Sequence, residues 1–167
     1  MDSRAQEIVT TLKLKPHPEG GWFREIFRSA SSVLPADGRP VRSALTTIYF
    51  LLEYGHHSRW HRVLSDEAWV YLEGAALDLW EWDADSNVAA CTTIGPINFD
   101  TDIQAQHVVK AGIWQAARPK LVPSQAFTLV TCTVGPGFDF DDFALMKRAG
   151  AEATVIHRDW PELSGLI

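Results

Sequence analysis

The sequence predicts an all-β protein, a sandwich or a barrel of about ten short strands. Two observations lead to this prediction. Short apolar runs rich in β-branched and aromatic residues follow one another closely, and Gly, Pro, Asp and Asn separate them. Apolar residues at helical spacing occur only near the two ends of the chain. Since 167 residues can bury one sizeable core, and no repeat or linker divides them, we expect a single domain over residues 1–167.

The individual elements follow from the same patterns in chain order. Residues 3–14 are expected to form a helix that begins at Ser3, whose hydroxyl can cap it. Residues 22–29 alternate as a strand does, so Glu25 and Arg28 are expected on opposite faces. Residues 30–41 are expected to form a loop. One helix is expected after about residue 149. Between them, further strands are expected at residues 43–54, 58–63, 68–73, 77–82, 88–94, 107–110, 113–117, 126–134 and 138–145.

Composition excludes several classes of function. The net charge of −6 and the pI near 5.4 argue against a surface that binds nucleic acid or an anionic membrane. The N-terminus lacks a basic-then-apolar signal pattern, and no apolar run has the length of a transmembrane helix. Cys91 and Cys132 lack a C-x-x-C partner, so we expect reduced core thiols in a cytoplasmic protein.

The segment from residue 58 to residue 74 carries the most chemical information. A histidine, His61, precedes a short polar turn, and a glutamate, Glu67, follows it at the start of an apolar strand. Since side chains two apart share a face of a strand, Arg59 should lie beside His61, and Trp69 and Tyr71 should lie beside Glu67. If this hairpin folds with His61 inward, both groups reach one apolar cavity. That arrangement suits binding of, or acid–base chemistry on, a small molecule.

A metal site is the alternative interpretation of the same segment. Zinc and iron sites need three or four His, Cys, Asp or Glu ligands that converge on one point. His57, His61 and Glu67 could supply three ligands, and His107 is the nearest candidate for a fourth. This spacing is loose, so the sequence favours a site without metal and without another cofactor.

A family resemblance covers most of the chain. The run from Glu67 to Gly74 resembles the first sequence motif of the cupin superfamily, in which glycine follows a glutamate at a fixed distance. The wider chain resembles the cupin-5 family (DUF985), roughly over residues 8–145. The blocks that carry this resemblance are His-Pro-Glu-Gly-Gly-Trp-Phe-Arg-Glu (17–25), Thr-Ile-Tyr-Phe-Leu-Leu (47–52), Ser-Arg-Trp-His-Arg (58–62), Asp-Glu-Ala-Trp (66–69), Gly-Ile-Trp-Gln (112–115) and Val-Gly-Pro-Gly-Phe-Asp-Phe (134–140).

The resemblance implies a double-stranded β-helix, or jelly roll, with short terminal helices, often dimeric, and with one pocket inside. It also implies kinship with sugar-nucleotide epimerases of the RmlC type, which use a histidine base and no metal. The chain departs from metal-binding cupins at two ligand positions, where Arg59 and Gln115 stand in place of histidines. Because an arginine is a cation that cannot ligate a metal, this departure also argues against an oxygenase.

Together these patterns assign roles to individual residues. His61 is the expected general base, and Glu67 would hold its tautomer or act as the partner acid. Tyr71 could donate a proton. Substrate-binding residues are expected at Arg59, Gln115, Trp69 and Trp114. Arg59 and Gln115 would orient an anionic or carbonyl group of the ligand. Trp69 and Trp114 would form a stacking wall, unless Trp114 faces outward. The block from residue 17 to residue 25 could be part of the site, a subunit contact or a rigid turn.

The sequence is therefore compatible with three functions. The leading hypothesis is an isomerase- or epimerase-like enzyme that acts on an unidentified small molecule without metal. The second is a binding or sensor module that holds a ligand without chemistry, and the third is a metal-dependent oxygenase or lyase. A homodimer is expected in each case, because a jelly roll leaves edge strands that a second copy can cover.

Overall fold

The structure, a computed structural model, describes residues 2–97, 102–120 and 126–167. Its helices are α1 (Ser3–Thr11) and α2 (Ala151–Asp159), with 3₁₀ turns at Phe140–Asp142 and Pro161–Leu166. Its strands are β1 (Lys15–Pro16), β2 (Trp22–Arg28), β3 (Ser32–Val33), β4 (Arg42–Ser43), β5 (Thr46–Glu53), β6 (Ser58–Val63), β7 (Asp66–Gly74), β8 (Leu77–Asp83), β9 (Val88–Ile94), β10 (Gln106–Val109), β11 (Trp114–Pro119), β12 (Phe127–Gly135) and β13 (Phe143–Leu145).

The strands form two facing antiparallel sheets. The larger sheet has the order β1-β2-β5-β12-β7-β10, and the smaller has the order β13-β6-β11-β8-β9. Strands β3 and β4 form a separate short ribbon. Most neighbours in each sheet come from distant parts of the sequence, as in a jelly roll. The predicted double-stranded β-helix with short terminal helices is thus confirmed.

Period-two alternation explains how the two sheets bury a common core. On β5, Phe50 and Leu52 point between the sheets, where they meet Trp69 of β7 and Val130 of β12. Leu51 points the other way and is fully buried under α1. Strand β5 therefore carries apolar residues on both faces, which is why its sequence reads as a continuous apolar run.

The two terminal helices cover the outer faces of the two sheets. Helix α1 lays Ala5, Ile8 and Val9 on the larger sheet. Helix α2 lays Ala153 and Ile156 on the smaller sheet, over a cluster of tryptophans. Neither sheet could keep these apolar outer faces in water without its helix. None of the described helices is long and apolar enough to cross a bilayer.

Three local predictions differ from the structure. Asp2 rather than Ser3 caps α1, because its carboxylate accepts the backbone N–H groups of residues 4 and 5. The predicted strand at 138–145 is a 3₁₀ turn followed by a short strand, because the Asp139 side chain caps that turn. Cys132 lies in the core as expected, whereas Cys91 is exposed on the edge strand β9.

Candidate functional site

A cavity of about 240 Å³ opens between the two sheets at one end of the molecule. Its enclosed end is polar and its walls are apolar. The polar groups of the enclosed end are His17, Glu19, His61, Glu67 and Cys132. The walls are Phe23, Ile48, Phe50, Val63, Val134, Phe138, Phe140 and Phe143. An enclosed apolar pocket with a few convergent polar groups is the usual form of a small-molecule site.

A β-bulge in β6 places two polar side chains in this cavity region. His61 pairs with Gln115 of β11, and Ser58 pairs with Ala117, so three steps along β6 match two along β11. The extra residue in β6 breaks the strict alternation, and Ser58 and His61 both turn inward. The Ser58 hydroxyl lies 3.4 Å from Nδ1 of His61. Trp60 faces outward, into the cluster under α2.

A second bulge, in β2, brings a cation to the mouth of the cavity. Glu25 pairs with Ile48 of β5, and Phe27 pairs with the next residue, Thr47. This extra residue in β2 turns Arg28 to the face that Glu25 occupies, whereas alternation predicted opposite faces. The guanidinium of Arg28 binds the Glu25 carboxylate in a two-point contact, with distances of 3.0 and 2.7 Å.

The turn before β2 carries two further side chains into the enclosed end. Gly20 and Gly21 have positive φ angles of 114° and 70°. A Cβ atom at Gly20 would lie 2.5 Å from the carbonyl oxygen of His57, so only glycine lets the turn lie this close to the start of β6. The backbone N–H of Arg59 donates to the Glu19 carbonyl and fixes the turn there. His17 and Glu19 therefore point into the cavity.

The carboxyl group of Glu19 joins two histidines. Its Oε2 lies 3.2 Å from Nε2 of His61 and 3.4 Å from Nδ1 of His17. Its Oε1 accepts a hydrogen bond from the Ser58 hydroxyl at 2.9 Å. The Nδ1–H of His61 donates to the Arg59 carbonyl at 2.7 Å. Since that bond fixes the proton on Nδ1, the lone pair of Nε2 faces Glu19 and the cavity.

Burial holds this group of residues in its uncharged form. Burial raises the pKa of Glu19 to about 8, against which the hydrogen bond from Ser58 acts only weakly. Burial lowers the pKa of His17 to about 4 and also lowers the pKa of His61. At neutral pH Glu19 is thus a carboxylic acid beside two neutral imidazoles. The contact between His61 and Glu19 is a hydrogen bond rather than an ion pair.

A second chain of hydrogen bonds ends on Glu67. The indole N–H of Trp69 donates to Gln115 at 3.0 Å, and the amide of Gln115 donates to Glu67 at 2.6 Å. Burial is the main cause that raises the pKa of Glu67, and nearby Glu19 adds to it, while His61 and the hydrogen bonds from Gln115 and Cys132 lower it. Burial also raises the pKa of the adjacent Cys132 thiol, so this cysteine is an unreactive donor.

Sequence reasoning identified part of this site. His61 and Glu67 both line the cavity, and Trp69 and Gln115 act behind Glu67. The tautomer of His61 is set by the Arg59 carbonyl, whereas Glu67 was expected either to set it or to act as the partner acid.

The other predicted side chains lie outside the cavity. The Tyr71 hydroxyl donates to the Gly74 carbonyl at 2.7 Å. Trp114 packs under α2, the outward orientation that alternation allowed. The Arg59 side chain is not part of the lining, since the β6 bulge removes it from the face of His61. His107 binds Glu81 at 2.6 Å, away from the cavity.

His17 and Glu19 are the residues that sequence reasoning did not place. Their block was recognised only as a turn rich in proline and glycine, with its role left open. The usable signal was that a charged residue, Glu19, stands inside a turn whose two glycines allow close approach to another strand. A carboxyl group in such a turn becomes buried when the turn does.

Comparisons with known proteins identify the family of this chain. The family model described as "Cupin superfamily (DUF985)" matches residues 6–146. The chain belongs to this cupin family. The predicted family is thereby confirmed. A comparison with curated proteins gave no match.

Solved structures support the same assignment. A hypothetical protein from Leishmania major is 30% identical, with a TM-score of 0.82 over 98% of this chain and 96% of that one. A protein from Shewanella oneidensis is 27% identical, with a TM-score of 0.80 over 97% and 93% of the two chains. An oxalate decarboxylase from Lactobacillus farciminis, solved as a formate complex, is 14% identical, with a TM-score of 0.56 over 92% of this cupin and 41% of that chain. This last likeness shows the fold alone.

The side chains of this cupin do not fit a metal centre. Of the two positions where a histidine ligand is missing, Arg59 lies outside the cavity and Gln115 directs its amide N–H to Glu67. His61 commits Nδ1 to a backbone carbonyl and Nε2 to Glu19. Within residues 2–97, 102–120 and 126–167, no three His, Cys, Asp or Glu side chains are grouped as metal ligands.

Proposed function

We propose that this cupin binds a small molecule in the cavity and moves a proton on it, as an isomerase- or epimerase-like enzyme does. The observation that carries the proposal is the contact between His61 Nε2 and the protonated Glu19 carboxyl at 3.2 Å. Both groups are uncharged near pH 7, both are buried, and both line the cavity. A neutral imidazole is a base and a protonated carboxyl is an acid, which is the pair that general acid–base catalysis requires.

The reaction class follows from this pair. A ligand with a carbonyl group would place its oxygen at Glu19 and an adjacent C–H bond at His61. The proton of that C–H bond moves to Nε2, and the carboxyl proton moves to the carbonyl oxygen, so an enol forms while Glu19 becomes a carboxylate. His61 then delivers its proton to the other face of the enol after the enol turns over in the cavity, or to another carbon. The enol O–H returns its proton to the Glu19 carboxylate, so the isomer forms and both residues are restored. Enclosure of the site limits the access of water, which would otherwise compete for these protons.

Glu67 is assigned a positioning role in this proposal. Its carboxyl receives the amide N–H of Gln115, which is itself held by Trp69. It lies close enough to His61 for each group to affect the other's pKa. Glu67 therefore tunes the basicity of the imidazole without taking part in the proton transfer.

The experiment follows exchange of carbon-bound hydrogen for deuterium. Small ketones and hydroxyketones are incubated with the protein in D₂O, and loss of the C–H signal is followed by proton NMR. We expect exchange above the buffer rate for the wild type, loss of exchange for His61→Gln, and full exchange for the control His107→Gln. Equal exchange by the wild type and His61→Gln would remove His61 from the mechanism.

A binding or sensor module remains the second candidate. The observation that favours it is the enclosure of the site, because His61 is only 2% exposed. Under this alternative, ligands bind saturably and are returned without deuterium. The exchange experiment thus separates the two candidates.

We propose a homodimer as the working assembly. Strand β5 is central in its sheet, whereas β2 pairs with β1 only at Trp22 and Phe23. Beyond that point β2 carries the exposed apolar residues Ile26 and Phe27. A second copy could cover this edge. Sedimentation equilibrium of the wild type and of Ile26→Glu measures the oligomeric state. We expect the wild type to be a dimer and Ile26→Glu to be a monomer. A monomeric wild type would refute the proposed homodimer.

A further inference from the structure

The cation at the cavity mouth is already bound within the protein. Two nitrogens of the Arg28 guanidinium donate to Glu25, at 3.0 and 2.7 Å. A third donates to the Phe138 carbonyl at 3.2 Å. A two-point contact of this kind uses the same donor edge that would recognise a carboxylate or phosphate. An anionic ligand would therefore have to displace Glu25 to use this edge of the guanidinium.

Carboxyl groups outnumber cations in the cavity wall. Glu19, Glu25, Glu67 and Asp139 line it, and Arg28 is the single Lys or Arg among the described lining residues. Beside Glu19 and His17 the enclosed end offers no charge to a ligand, because Glu19 is protonated and His17 is neutral. A charged group placed there would lose its hydration without a partner of opposite charge.

The walls suit a flat apolar body. Phe138, Phe140 and Phe143 contact one another edge-to-face, with ring centroids 5.1 to 6.1 Å apart. The ring of Phe143 also packs against the imidazole of His61, with ring centroids 5.6 Å apart. Such rings bind planar groups through their faces and edges. A volume of about 240 Å³ limits the ligand to a molecule smaller than most drugs.

From this wall we infer that the ligand of this cupin is a small uncharged molecule with a planar apolar body and one carbonyl or amide oxygen. Nucleotide-linked sugars, simple carboxylates and phosphates are excluded as ligands, which separates this site from sugar-nucleotide epimerases. The carbonyl oxygen binds at Glu19 in the enclosed end, and the planar body lies against Phe138, Phe140 and Phe143. The inference deepens the proposed function, on which it rests for the location of the site.

The test compares probes that share a ring and differ in charge. Acetophenone, benzoate, benzylamine and uridine diphosphate glucose are titrated into the protein at pH 7, and binding is followed by saturation-transfer NMR. We expect acetophenone to bind at least about tenfold more tightly than benzoate or benzylamine, equivalent to about 1.4 kcal/mol, and the nucleotide sugar not to bind. Stronger binding of any charged probe, or no binding of acetophenone, would overturn the inference.

Three variants locate the binding. Phe140 is 57% exposed at the cavity rim, so Phe140→Ala should fold normally and weaken acetophenone binding several-fold. Tyr54 is 46% exposed outside the cavity, and Tyr54→Ala is the matched control that should bind as the wild type does. Glu25→Gln releases Arg28 and should strengthen benzoate binding. Equal acetophenone affinity for the wild type and Phe140→Ala, or an unchanged benzoate affinity for Glu25→Gln, would contradict the assignment.

Failure of this inference and failure of the proposed function give different results. Acetophenone carries exchangeable hydrogens beside its carbonyl, so one sample reports both binding and exchange. Binding without exchange would retain the ligand class and refute proton transfer. Exchange of charged ketones, with preferred binding of charged probes, would retain proton transfer and refute the ligand class.

Discussion

Replacement of Glu19 by Gln should change how the stability of the fold depends on pH. The native carboxyl keeps its proton up to about pH 8, whereas in the unfolded chain it titrates near its ordinary value of 4.5. Between these values the native state binds more protons, so wild-type stability falls as pH rises, and above about pH 8 this effect is complete. Glutamine cannot ionise, and its amide keeps a donor for His61 and an acceptor for Ser58.

The magnitude follows from the size of the pKa shift. Each pH unit within this range costs the wild type about 1.4 kcal/mol, and the slope flattens as pH nears the native pKa. From pH 6 to pH 8 the wild type should therefore lose about 2 kcal/mol of unfolding free energy relative to Glu19→Gln, given a native pKa of about 8. The histidines titrate in both proteins, so most of their contribution cancels in the difference.

The assay is urea unfolding at several pH values, followed by the fluorescence of the seven tryptophans. Glu162→Gln changes an exposed carboxylate and is the matched control. Its profile should run parallel to that of the wild type. If Glu19→Gln also ran parallel to the wild type between pH 6 and pH 8, Glu19 would be ionised in the native state and the neutral pair would be wrong.

Further predictions follow from the turn, the rim and the site. Gly20→Ala should destabilise the fold by more than about 2 kcal/mol in urea unfolding, because its Cβ meets a carbonyl oxygen at 2.5 Å. Gly55→Ala also has positive φ but meets nothing within 4 Å, so it should cost clearly less; equal costs would refute the steric argument. Asp142→Asn should lower stability by about 3 kcal/mol in thermal unfolding, because Asp142 binds two arginine side chains, at 2.8 Å each; an unchanged melting temperature would contradict this. Proton exchange should fall as pH rises above about 8, where Glu19 ionises, and a rate that keeps rising would exclude Glu19 as the acid. Elemental analysis of protein purified without a His-tag should find no stoichiometric metal, and one bound equivalent would reverse the ligand assignment.

The fold could be predicted from the sequence because its signals are local and repeated. Strands β6 and β9 begin and end at the predicted residues, since each is a run of β-formers bounded by turn residues. His61 and Glu67 could be placed in one cavity because each follows from alternation near a short turn.

The rest of the site depends on features without a local signature. A bulge is one extra residue in a strand, and it reverses the facing of every side chain beyond it. Two such bulges turned Arg28 towards the cavity and Arg59 away from it. Glu19 lies in the cavity for a different reason, because burial of its turn depends on contact with a strand nearly forty residues later. Alternation alone cannot report a contact of that range.

The enclosed end of the cavity draws its side chains from four separate stretches of the chain, around Glu19, His61, Glu67 and Cys132. Glu67 and Cys132 lie on neighbouring strands of the larger sheet and meet His61 of the smaller sheet only when both sheets have closed, so a fragment or a partly folded intermediate has no complete pocket. Affinity for a small probe is therefore a readout of the whole native fold. Loss of that affinity would signal global opening earlier than loss of strand content would.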